Sequence, residues 1–78
     1  MNVNFVGCTQ VICDEIEAGC TQKSIALSYA FALKSKMQGA DDPDWGVINR
    51  AILAKWKMSG LERIKKRAID LLSGKIAL

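Results

Sequence analysis

Apolar residues recur along this chain at the three-to-four-residue spacing of helices, with no sustained alternation of the kind strands require. Val11, Ile12 and Ile16 share one face of a segment whose other positions carry Asp14, Glu15 and Glu17. Thr9 before it and Gly19 after it predict a short helix over residues 10–18. Thr21 is placed to cap a second helix over residues 22–38, stopped by Gly39. Ile25, Ala26, Leu27, Tyr29, Ala30, Phe31, Ala32, Leu33 and Met37 occupy more than one face of it, so it is expected to be packed on several sides and to act as the hub of the core.

Asp42 and Pro43 read as an N-cap followed by proline at the first helical position, where its missing N–H costs nothing. The third helix then runs to about Lys57, with Val47, Ile48, Ala51, Ile52, Ala54 and both tryptophans, Trp45 and Trp56, in its buried stripe. Ser59-Gly60-Leu61-Glu62 fits the capping box, in which a serine and a glutamate three residues on satisfy each other's free backbone donors. It predicts a fourth helix to about Ser73, buried through Leu61, Ile64, Ala68, Leu71 and Leu72 and closed by Gly74. Residues 1–8 read as an extended arm and 75–78 as a tail. The expectation is an all-α, four-helix single domain over residues 1–78, its last two helices forming a helix-turn-helix-like pair.

Composition adds a constraint on stability. A chain of 78 residues buries only about 60% of the surface its unfolded form exposes, yet half of the residues are hydrophobic. A packed core follows, and a homodimer is one way to complete it. The longest nearly apolar stretch, Ile25 to Leu33, falls far short of the ~20 residues that span a membrane. Residues 1–7 lack the basic start and apolar run of a secretion signal, so the expected location is cytoplasmic. Cys8, Cys13 and Cys20 are odd in number and no histidine accompanies them, so they read as small hydrophobes or free thiols rather than zinc ligands.

Charge divides the chain. Residues 1–44 hold three lysines against six carboxylates, a net of −3, whereas residues 45–78 hold eight bases against two acids, a net of +6. A concentration of positive charge attracts polyanions, because each neutralised phosphate releases counterions. The same basic faces also serve simply to keep a small helical domain in solution.

The third and fourth helices and the break between them have the size of a helix-turn-helix, whose second helix enters the major groove of DNA. Arg50, Lys55, Lys57, Arg63, Lys66 and Arg67 are the residues expected to contact nucleic acid. Lys55 and Lys57 stand near where such turns often carry a glycine, and two helices joined by a short turn are also the ordinary unit of a bundle. An earlier stretch from Thr21 resembles the opening of repressor-type units, but Tyr29 to Leu33 contains no breaker. Lys23-Ser24 ends like a phosphate-binding loop, yet Glu17 and Gln22 occupy its glycine positions. Trp45, Trp56 and Tyr29 could stack on bases, though at helical spacing they fit a core better.

Catalysis finds little support. Without histidine a serine or cysteine lacks its usual base, and Asp41, Asp42 and Asp44 sit where capping explains them. No enzyme activity, metal or cofactor is expected. Asp44-Trp45, Ile48 to Ile52, Trp56, Ser59 to Lys65 and Ala68 are similar to small helical proteins encoded by bacteriophages and prophages. That resemblance implies a setting, the cytoplasm of a bacterial host, and two roles: a DNA-binding regulator, or a protein-interaction module that inhibits a host protein, the partner then being an acidic or mixed surface of that host protein.

Overall fold

The computed structural model describes residues 8–39 and 42–76, and every regular element in them is helical. The arm expected at residues 1–8 and the end of the tail lie outside the described residues, apart from Cys8, which opens the first helix. Helix α1 spans Cys8–Glu17, α2 Gln22–Met37 and α3 Trp45–Ser73. Left-handed Gly19, Gly39 and Gly74 end them, as the sequence pattern requires. None of the described helices is long and apolar enough to cross a membrane.

Among the described residues the expected four helices are corrected to three. Trp45–Ser73 is one helical element, kinked at Lys57, whose φ of 65° and ψ of −172° are the only non-helical values inside it. The break thus falls where the third helix was expected to end, but by another device. Ser59 is already helical and takes part in no side-chain hydrogen bond with Glu62, so the capping box does not form. The start also differs from expectation. Asp44 rather than Asp42 is the N-cap, its Oδ1 accepting from the Val47 N–H at 3.1 Å.

Lys57 occupies a backbone region that is almost exclusively glycine's and that costs a side-chain-bearing residue about 1–3 kcal/mol. Lys57→Gly is therefore expected to stabilise the fold by about 1 kcal/mol, after the greater entropy glycine loses on folding is set against the relieved strain. The midpoint of urea unfolding checks this; an unchanged or lower midpoint would mean that the lysine side chain contributes more than its backbone costs.

The core joins all three helices. Ile12 and Ile16 come from α1, Ile25, Ala26, Tyr29, Ala30 and Ala32 from α2, and Ile48, Ile52, Leu61, Ile64 and Ala68 from both sides of the kink in α3. The most extensive packing is between α2 and α3. Among the described residues only α1 and α3 pack against α2, and there Phe31 is half exposed and Met37 almost fully so. Polar ties hold α1 to both others. Ser28 Oγ donates to Glu15 Oε1 at 2.6 Å, the Asp44 N–H donates to Thr9 Oγ1 at 2.9 Å, and Lys55 Nζ donates to the Ile16 carbonyl at 3.0 Å.

Candidate nucleic-acid interface

The N-cap of α2 sets one wall of a basic groove. Thr21 Oγ1 accepts the Ser24 N–H at 3.2 Å, which fixes the start of a 16-residue helix and puts Gln22 and Lys23 in its first turn. Arg63 and Arg67, four residues apart on α3, form the opposite wall around buried Ile64. Together Gln22, Lys23, Arg63, Ile64 and Arg67 line a groove of about 280 Å³. It holds three cationic side chains and no carboxylate.

That arrangement is electrostatically unfavourable when empty. A cation in the first turn of a helix opposes the positive end of the helix dipole, at a cost of about 0.3–1 kcal/mol for exposed groups, and here two guanidiniums add like charge. Among the described residues the ion pairs are Lys36 with Asp42 and Lys66 with Asp70, so Lys23, Arg63 and Arg67 have no acidic partner there. An anion seated between them would meet two guanidinium forks, an ammonium and the Gln22 side-chain amide.

The six residues expected to contact nucleic acid do not share this surface. Only Arg63 and Arg67 line the groove. Lys55 is committed to the Ile16 carbonyl, with its ammonium 5.3 Å from the centre of the Trp56 ring. Lys66 pairs with Asp70 at 3.5 Å beside Met58 and Ile69, in a different groove. Lys57 is the kink itself, and Arg50 stands near Gly46 and Asp44 in the first turn of α3. Lys23 was missed because it lies in the acidic half of the chain. Its signal was local: a lysine immediately inside a capped helix start, where a carboxylate is the ordinary choice.

Tyr29 lies in the core and Trp45 and Trp56 pack against it, whereas Phe31 is half exposed. Tyr29 and Trp45 meet with ring centres 4.7 Å apart and planes at 44°, and Tyr29 donates its hydroxyl to Asn49 Oδ1 at 3.0 Å. Burial pushes the Tyr29 pKa up. Cys13 and Cys20 are free thiols, both half-buried. Burial raises the Cys13 pKa, and the negative charges of Asp14, Glu17 and Asp44 raise it further, which disfavours the nucleophilic thiolate. Among the described residues no three of histidine, cysteine, aspartate and glutamate gather as a metal site would need. No protein-family model, curated protein or solved structure matches this chain.

Proposed function

We propose that this protein binds DNA, as a small regulator of the kind its resemblance to phage-encoded helical proteins implies, and that it grips the phosphate backbone through Lys23, Arg63 and Arg67. The groove carries the reading, because it collects three cations without a counter-charge at the N-terminal end of a helix. The part of α3 after the kink takes the place of a recognition helix. A break centred on one residue is tighter than the three- or four-residue turn of DNA-reading helix pairs, which favours backbone contact over reading of base edges.

Binding held by three phosphate contacts has a defined salt signature. The logarithm of the association constant should fall against the logarithm of salt concentration with a slope of about −2.7 on duplex DNA. Titration of a fluorescent random-sequence duplex from low to physiological salt measures it. No binding at low salt, or binding indifferent to salt, overturns the proposal. A host-protein partner instead of DNA would show as a nuclease-resistant complex in host lysate.

A further inference from the structure

We infer that the part of α3 after the kink is a self-association surface, pairing antiparallel with the same segment of a second copy about a twofold axis between Arg63 and Ile64. The inference is independent of the DNA reading and is tested without nucleic acid.

Six large hydrophobic side chains are exposed among the described residues, and all but Val11 fall in two grooves. Phe31, Met37 and Leu72 line one of about 250 Å³, and Met58 and Ile69 line another of about 320 Å³. Ile69 and Leu72 are one helical turn apart on the same face of α3, so the grooves adjoin as one apolar band. Clustering of this kind, unlike scattered single residues, marks a surface that another molecule covers.

The sequence along that band specifies a second copy. Met58, Glu62, Lys65, Ile69 and Leu72 follow the alternating four-and-three spacing of a helix–helix seam, and all five are exposed. A twofold contact must be complementary to itself, each residue meeting its counterpart reciprocally. Antiparallel pairing about the stated axis does this for the first four residues of the seam. Met58 meets the partner's Ile69 and Glu62 meets the partner's Lys65, each contact occurring twice. Parallel pairing would put Glu62 against the partner's Glu62. Among the described residues neither Glu62 nor Lys65 forms an ion pair within its own chain, whereas neighbouring Lys66 is taken by Asp70. Leu72, Phe31 and Met37 widen the contact beyond the helix pair.

By the helical repeat, Arg63 and Arg67 lie on nearly the opposite side of α3 from this seam, so a dimer leaves both basic grooves open. Sedimentation equilibrium of the nuclease-treated chain should find a dimer. Glu62→Lys alone and Lys65→Glu alone each set like charges opposite one another twice, and each is expected to weaken the dimer about a hundredfold. The double variant E62K/K65E restores the pairing and should restore the dimer. Ile69→Asp should give a monomer, with circular dichroism unchanged because the side chain is exposed. A monomeric parent chain, single charge variants that remain dimeric, or a double variant that stays monomeric would each overturn the inference.

Discussion

Gly60→Ala is expected to destabilise the fold by about 2–4 kcal/mol, the reverse of what the same change does in an ordinary helix. Alanine exceeds glycine in helix propensity by about 1 kcal/mol, so inside a regular helix the substitution would stabilise. Residues four apart in such a helix hold their Cβ atoms about 5–6 Å apart. The kink at Lys57 removes that separation. A Cβ built on Gly60 would overlap Trp56 Cβ and lie 3.1 Å from Trp56 Cγ. The obstructing atom is next to the backbone and cannot swing aside as the tip of a flexible side chain can. Relief requires moving Trp56, which packs against the core, or opening the kink. For a domain of this size a loss of 2 kcal/mol lowers the unfolding temperature by roughly 8–16 °C. Thermal unfolding followed by circular dichroism measures it. An unchanged or raised midpoint would mean that the two halves of α3 straighten freely, and that the angle between them is not fixed by packing.

Gly60 shows which parts of the fold local sequence could carry. Helix ends at Gly19, Gly39 and Gly74 and the start at Thr21 were legible, because each depends on one residue's own backbone or side chain. The position of the break in α3 was legible for the same reason, since Ser59 and Gly60 interrupt good helix formers. Its chemistry was not. The serine and glutamate suggested a capping box, whereas the structure uses a strained lysine at 57 and a glycine at 60 that makes room for Trp56. Nothing within four residues reveals that close approach. The start of α3 was misplaced for a related reason: Asp42 and Asp44 flank Pro43 and either can cap. The Asp44 N–H is held by Thr9, 35 residues away, an interaction that exists only after α1 and α3 meet. The basic surface failed to follow sequence neighbourhood because residues adjacent in the chain leave a helix on different faces. Lys66 and Arg67 therefore belong to separate grooves, while Lys23 joins Arg67 across two helices.

Removing the groove's charges should reduce duplex affinity far more than removing bases that already have partners. Lys23→Ala, Arg63→Ala and Arg67→Ala are each expected to lower the magnitude of the salt slope by about 1 and to weaken binding at low salt roughly tenfold, largely irrespective of DNA sequence. Combined, they should abolish detectable binding. Lys66→Ala provides the contrast, because its ammonium pairs with Asp70 in the other groove; that change should leave slope and affinity nearly unaltered. Lys55→Ala differs again. It loses the bond to the Ile16 carbonyl and the contact with Trp56, so its effect should appear in unfolding rather than in the salt slope. The comparison separates a built groove from diffuse attraction to a basic half-molecule. Diffuse attraction would make all five single variants equivalent, since each removes one positive charge. A groove makes Lys23, which sits in the acidic half of the sequence, matter as much as Arg63 and more than Lys66. Equal effects at Lys23 and Lys66 would exclude the groove as the determinant, even if the protein binds DNA.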